Sequence, residues 1–322
     1  MVDPTNIGCK ISGISHFLPD TVMTNDDIIS QHSLRLKSEW VRLHIGITER
    51  RWCNDDENAS SLAANVLNNL VELNAVTQSN IGALIVSTVS SDVRTPSTAS
   101  IVQSLSAPGE NFPCFDITAA CSGFIYALDI GRRFVQTGLD NVVCIASEIR
   151  SRNLNKQDRR TVMLFGDGAA GVSLAKCEGD EVGIIYTKTM GDGRYWDAIS
   201  VPHNGFITMK EAGLIFESAI KEMSNLVTEG LQTANLSSDD IDHFIFHQAS
   251  GIIVDKVAES LNLPEHKCPK NFSTRGNMTS ASVPVALSEA TVNGNIKKGD
   301  MVCLVATGGG FSAGITILRW EL

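Results

Sequence analysis

The chain has 322 residues, 43% of them hydrophobic and 19% charged, with a formal net charge of −10. That is the composition of a soluble globular protein, long enough for two compact units or one duplicated unit. The acidic balance and the lack of a basic cluster exclude a nucleic-acid footprint, and no apolar run approaches the ~18 residues of a membrane span.

Residues 7–17 read as a first strand, closed by the turn Leu18-Pro19-Asp20. The first ten residues carry no apolar core of the signal-peptide kind. The cysteines, at 9, 53, 114, 121, 144, 177, 268 and 303, form neither a C-x-x-C pair nor a His-spaced cluster. No metal site is expected, and the thiols read as reduced, in a cytoplasmic protein. Thr24-Asn25-Asp26-Asp27 caps a short helix, and another begins at Ser38. An amphipathic helix spans 60–73, an apolar strand 81–89 and a helix 97–104. Residues 113–117 form a strand that runs into a small-residue elbow at 118–120. The helix that follows has apolar residues at Phe124, Ile125, Leu128, Ile130, Phe134 and Val135, the spacing of a buried stripe. Residues 141–147 are a further buried strand. Strands alternating with helices predict an α/β fold with a largely parallel sheet.

The second half repeats the first. Residues 80–86 have a counterpart in 240–246, residues 141–146 in 300–306, and residues 170–176 in 313–319. The first two offsets are 160 (241 − 81) and 159 (303 − 144); the third is 143 (314 − 171). Three strand pairs in order predict a duplicated fold, with halves 1–178 and 179–322 and an extra segment near 148–165 in the first half.

Cys121 sits where the helix after the elbow begins. Unpaired N–H groups and the positive helix end favour a thiolate there, which makes it a candidate nucleophile; the alternative is an inert buried thiol. Residues 166–171 match G-x-G-x-x-G, but the strand-like Val172-Ser173-Leu174 follows where a dinucleotide site needs a helix, so these glycines read as tight-turn residues. His247 ends an apolar strand at 244–246, a position that suits a site in an α/β fold as well as a structural histidine. Asn277 lies in a small-residue loop before an apolar helix, where capping is the commoner use. Gly308-Gly309-Gly310 follows a buried strand and implies close backbone approach.

Together "DITAACSGF", "FGDGAAG", "FHQAS", "GNMTSAS" and "GGGF", with "ISGISHFLPDTVMTNDDI" and "GITERR" near the start, resemble β-ketoacyl-acyl-carrier-protein synthase III. These are condensing enzymes of the thiolase superfamily. The resemblance implies a thiolase-like fold, two duplicated halves in a five-layer αβαβα core, and a homodimer. It implies Cys121, His247 and Asn277 as the catalytic set, with the N–H groups of Cys121 and Gly309 as the oxyanion hole. Trp40 and Arg159 match the pair that holds the adenine of coenzyme A; Phe165, Phe216 and Thr95 are the further substrate-side residues. The implied reaction loads an acyl group from acyl-CoA on Cys121 and condenses it with a malonyl thioester. No cofactor is called for, since acyl-CoA is a substrate.

The chain departs from the family's pattern at several positions. Glu217, Ile252, Glu259 and Ser260 stand where basic residues usually face the carrier protein, which argues against docking of an ordinary acidic acyl carrier protein. His44 replaces an arginine, Thr307 an aromatic, and Ser312-Ala313-Gly314 lacks the usual Trp. Thr95 occupies the position where a bulky aromatic of the partner subunit closes the pocket in short-chain members, which predicts a larger acyl pocket unless Phe206 or Met209 refills it. A specialised pathway fits these departures. Transfer from Cys121 to an oxygen, nitrogen or sulfur nucleophile is the alternative activity, and an inactive partner subunit the second alternative.

Overall fold

The computed structural model describes residues 7–179, 182–202 and 205–322. Residues 1–6, part of the stretch read above for a signal sequence, lie outside it. In the first half, β1 (Ile7–Phe17), β2 (Ala83–Ser87), β3 (Cys114–Ile117), β4 (Val142–Glu148) and β5 (Gly168–Glu178) form one sheet in the order β1-β5-β4-β2-β3. In the second, β6 (Gly183–Gly191), β7 (His243–Phe246), β8 (Met301–Gly308) and β9 (Ser312–Arg319) form a sheet in the order β7-β8-β9-β6. β2 runs parallel to both β3 and β4, and β7 parallel to β8. However, β5 is antiparallel to β1 and β4, and β9 to β8 and β6, so the sheets are mixed rather than largely parallel as expected. Of the parallel strands, β2 and β4 are Val- and Ile-rich runs buried along their whole length, as central parallel strands must be.

The helices α1 (Ala59–Glu72), α2 (Thr98–Ser106), α3 (Gly123–Gln136), α4 (Ala212–Thr233), α5 (Gly251–Ser260) and α6 (Ser282–Val292) fill three further layers. α1 packs on the outer face of the first sheet and against α2, while α4 packs on the second sheet and against α5. α3 and α6 lie between the sheets and touch strands of both. The result is a five-layer αβαβα sandwich. Sequence explains the placement. The outer α1 has one apolar stripe, whereas α6 is buried from Ser282 through Ser288, which only a helix covered on all sides can tolerate. Within the middle layer Phe124, Ile125 and Leu128 are fully buried, each contributing about 1.5–3 kcal/mol.

The three sequence repeats occupy equivalent places: β2 and β7, β4 and β8, β5 and β9. Read as β6-β9-β8-β7, the second sheet reproduces β1-β5-β4-β2; among the described residues β3 has no counterpart. The extra segment is real. β8 and β9 join through a tight hairpin at Gly308–Ser312, whereas β4 and β5 are separated by residues 149–167, which include the helical turns Ser151–Asn153 and Arg159–Val162.

The duplication extends to the two elbows that start the central helices. Ala120 (φ 45°) and Thr279 (φ 52°) both adopt the left-handed conformation, 159 residues apart (279 − 120). Each opens a short 3₁₀ turn, Ala120–Ser122 before α3 and Thr279–Ala281 before α6. Left-handed backbone at residues with side chains is strained and gathers at functional sites.

Candidate active site

The first elbow presents Cys121, and the hairpin of the other half closes on it. A Cβ at Gly308 would stand 2.6 Å from the Cys121 backbone nitrogen, so only glycine permits the approach. Ser312 pins the hairpin in place: its hydroxyl donates to Ala119 O (2.8 Å) and lies 2.8 Å from the Ser122 hydroxyl. The backbone N–H groups of Cys121 and Gly309 both reach the Cys121 sulfur. They are two fixed donors on one small volume, the arrangement an oxyanion requires.

The thiol is not the thiolate expected from its place at a helix start. Burial pushes it up to about 12, and the Glu148 carboxyl pushes the same way; Arg150 and the two N–H groups oppose them and lose. Exclusion of water outweighs the helix end. The buried Cys121 thiol is therefore protonated at rest.

His247 follows β7 and its N–H donates to Val305 O (2.8 Å), which fixes the ring at the sheet's carboxyl end. Burial alone drops it to about 3, so the imidazole is neutral at physiological pH, and Nδ1 has no hydrogen-bond partner. Asn277 is clamped from two sides. Its N–H donates to Leu164 O (2.9 Å) and its carbonyl accepts from Gly166 N–H (3.1 Å). Its side-chain Oδ1 accepts from Thr279 N–H (2.8 Å), which leaves the amide NH2 as the free, donating end. Gly166 is needed here for closeness rather than for a turn, because a Cβ would lie 2.2 Å from Arg275 O. The glycine-rich run thus packs against the Asn277 loop, and its strand continuation rules out a dinucleotide cradle. The tight-turn reading of these glycines is corrected accordingly.

Cys121, His247, Asn277, Thr307 and Gly309 line one cavity of about 220 Å³, walled by apolar side chains that include Phe165, Met209 and Phe216. Phe165 is held from behind, its carbonyl accepting from Trp52 Nε1 (3.0 Å). Trp40 and Arg159 line a separate surface cavity of about 880 Å³ with Arg35, Lys37 and Arg160. The His44 ring stacks on Trp40 (4.5 Å between centroids, 12° between planes). Thr95 is exposed and lies outside the Cys121 cavity of its own chain. Of the two side chains considered as fillers, Met209 reaches the Cys121 cavity, whereas Phe206 is 52% exposed and lines another surface depression. Glu217, Ile252 and Glu259 are exposed, and Glu259 pairs with Lys256 (2.7 Å).

Sequence reasoning missed Glu148, Arg150 and Ser280. Glu148, buried at the end of β4, accepts from Ser280 Oγ (2.6 Å), Ser90 Oγ (2.8 Å) and Val89 N–H (3.2 Å). An acid closing the run Val142-Val143-Cys144-Ile145-Ala146-Ser147 was the available signal for it. Among the described residues no group of three or more metal-ligating side chains occurs, all eight cysteines are free, and no helix is long and apolar enough to cross a membrane.

Comparison with known proteins places these features in one family. Residues 115–193 match the family model 3-oxoacyl-[acyl-carrier-protein] synthase III, and residues 231–320 match its C-terminal counterpart. The β-ketoacyl-[acyl-carrier-protein] synthase III of Clostridioides difficile is 36% identical over 98% of this chain and all of that protein. The crystal structure of the 3-oxoacyl-[acyl-carrier-protein] synthase III of Aquifex aeolicus superposes with a TM-score of 0.91 at 35% identity, covering 97% of this chain and 100% of that one. The priming β-ketosynthase of the R1128 polyketide pathway has a TM-score of 0.90 at 26% identity, covering 100% and 98%.

Proposed function

This chain belongs to the β-ketoacyl-[acyl-carrier-protein] synthase III family, and we propose that it loads an acyl group from acyl-CoA on Cys121 and condenses it with a malonyl thioester. The observation that carries the reading is the convergence of one thiol, two fixed N–H donors and two neutral side-chain donors on a single apolar cavity.

In the first half-reaction the Cys121 sulfur attacks the thioester carbon. The S–C bond to Cys121 forms, the S–C bond to coenzyme A breaks, and the thiol proton ends on the departing coenzyme A sulfur. The tetrahedral oxyanion is held by the N–H groups of Cys121 and Gly309. In the second half-reaction a malonyl thioester loses CO2. Its enolate oxygen is stabilised by His247 and by the Asn277 amide, neutral donors that change no charge in doing so. The enolate carbon attacks the acyl-Cys121 carbonyl, the carbon–sulfur bond to Cys121 breaks to give a β-ketoacyl thioester, and the departing thiolate takes up one proton from solvent to restore the resting thiol. No cofactor or metal enters this scheme.

Trp40 and Arg159 suit the nucleotide end of coenzyme A, an aromatic face beside surface cations, and Phe165 and Phe216 the apolar approach to Cys121. We further propose a cytoplasmic homodimer in which Thr95 of one copy faces the acyl pocket of the other. The acceptor is carried by coenzyme A or by a weakly acidic carrier, since Glu217, Ile252 and Glu259 offer no cationic surface. This use points to a specialised pathway. The test is intact-protein mass after exposure to a panel of acyl-CoAs, then product analysis with malonyl-CoA. A mass gain that Cys121→Ala removes, followed by a β-ketoacyl product, is the expected result. Labelling that persists in Cys121→Ala, or an acyl ester or amide product in place of a β-ketoacyl thioester, overturns it.

A further inference from the structure

The layer between α4 and the outer face of the second sheet is filled at one end and thin at the other. On β9 the residues packed there are Ile317, Ile315 and Ala313, so bulk falls away toward the hairpin. At the full end α4 is pressed close: a Cβ at Gly230 would stand 2.7 Å from Ile315 Cδ1. At the thin end Ala313 pairs directly with Thr307 across the strands. Thr307, Ala313 and Ala219 of α4 all line the Cys121 cavity, so the missing volume belongs to that cavity. Interiors are close-packed, and an apolar gap beside reacting groups is the exception. Both strand positions lie where the chain lacks an aromatic of its family's pattern. The gap also has an outlet. A second depression of about 520 Å³ shares Ser218, Glu222, Phe311 and Ala313 with the Cys121 cavity. Glu222 is half-buried and makes no hydrogen bond or ion pair among the described residues, so its carboxylate relies on water at that end. The gap starts on the His247 side, because His247 N–H donates to Val305 O (2.8 Å) and Thr307 is two residues further along β8.

We propose that this gap receives an alkyl group on the α-carbon of the nucleophile, so that the substrate class is a 2-alkylmalonyl thioester and the product is branched at its α-carbon. This rests on the condensing-enzyme reading above. The bond from the α-carbon to the carboxylate breaks, its electron pair enters the enolate, and CO2 leaves. The substituted α-carbon then bonds to the acyl carbon, the carbon–sulfur bond to Cys121 breaks, and the thiolate takes up a proton from solvent. Ethylmalonyl-CoA and malonyl-CoA are titrated by calorimetry against the Cys121→Ala protein, which binds without transfer. Ethylmalonyl-CoA should bind about 10-fold more tightly, the worth of two buried carbons. Ala313→Leu and Thr307→Phe, each added to Cys121→Ala, fill the gap from either strand and should erase that ratio. Ala313→Val should erase part of it, and keeps the comparison open if a bulkier variant does not fold. In protein with Cys121 intact, kcat/KM for ethylmalonyl-CoA relative to malonyl-CoA should fall about 10-fold in Ala313→Leu, by size exclusion. The proposal is overturned if the parent protein does not prefer ethylmalonyl-CoA, or if the filling variants leave the ratio unchanged, whether they lose both thioesters equally or neither. It is also overturned if they alter only the labelling of Cys121 by octanoyl-CoA against acetyl-CoA, which gives the gap to the loaded acyl chain. Absence of Cys121 acylation by any acyl-CoA would remove the condensing reading instead, and the calorimetric ratio would still decide what the gap holds.

Discussion

The elbows at Ala120 and Thr279 are the same piece of backbone used twice, with opposite outcomes. In the first, Cys121 faces a cavity and meets N–H donors; in the second, Ser280 is fully buried and gives its hydroxyl to Glu148. The second elbow still serves the site, because Thr279 N–H sets the orientation of the Asn277 amide. Duplication therefore supplied one strained turn to hold the proposed reacting atom and another to hold its surroundings. What separates them is the hairpin Gly308–Ser312, which packs a donor against the first elbow.

The largest test of this contrast makes the first elbow resemble the second. Cys121→Ser should abolish acylation by acyl-CoA, read as intact mass, since an alcohol so far from its ionisation range lacks the thiol's nucleophilicity. Disturbing only the surroundings should have a smaller effect of a different kind. His247→Ala or Asn277→Ala should lower β-ketoacyl product formation by about 10²–10³-fold, and Asn277→Ala should still acylate. Loss of acylation in Asn277→Ala would place the amide in both steps.

The third test concerns stability. His247 is held neutral, its folded value near 3 against an ordinary 6.5. The unfolded chain takes up a proton below pH 6.5 that the folded chain refuses, so stability is full above that pH and falls as the pH drops toward 3. Relative to wild type, His247→Leu should gain about 2–3 kcal/mol between pH 7.5 and pH 4.5, measured by urea denaturation. An unchanged difference would mean the ring is protonated in place. The smallest expected effect is at the second elbow. Ser280→Ala removes a donor from buried Glu148 and should cost about 1–2 kcal/mol of stability. Acylation of Cys121 should proceed at close to the wild-type rate; a large loss would show that the second elbow acts on the reacting sulfur directly.

Long periodic elements and ordered motifs made the frame legible. The strand pairs at 81–86 and 241–246, and at 141–146 and 300–306, already carried the duplication, and Gly308-Gly309-Gly310 announced a close approach whose partner turned out to be Cys121. The charge state of Cys121 was not legible, because it is set first by the exclusion of water and then by Glu148, 27 residues further on (148 − 121). Ser280 escaped notice for another reason. Ala120-Cys121-Ser122-Gly123 and Thr279-Ser280-Ala281-Ser282 share a backbone path but little side-chain chemistry. Arg150 reads in sequence as one more charge after a strand; only its unpartnered nitrogens distinguish it.

The segment 149–167, present in one half only, has a mechanical consequence. Arg159 belongs to the cavity that also holds Trp40, and Phe165, six residues later (165 − 159), is bridged to Asn277 and followed by the Gly166 N–H that bonds it. One short covalent strut thus spans from the proposed nucleotide end of the substrate to the amide proposed to steady its enolate. On the proposed function, binding energy collected at the far end is expected to be delivered where the carbon–carbon bond is made. A pantetheine thioester lacking the nucleotide would leave that strut slack, and its deficit would appear in kcat as well as in KM.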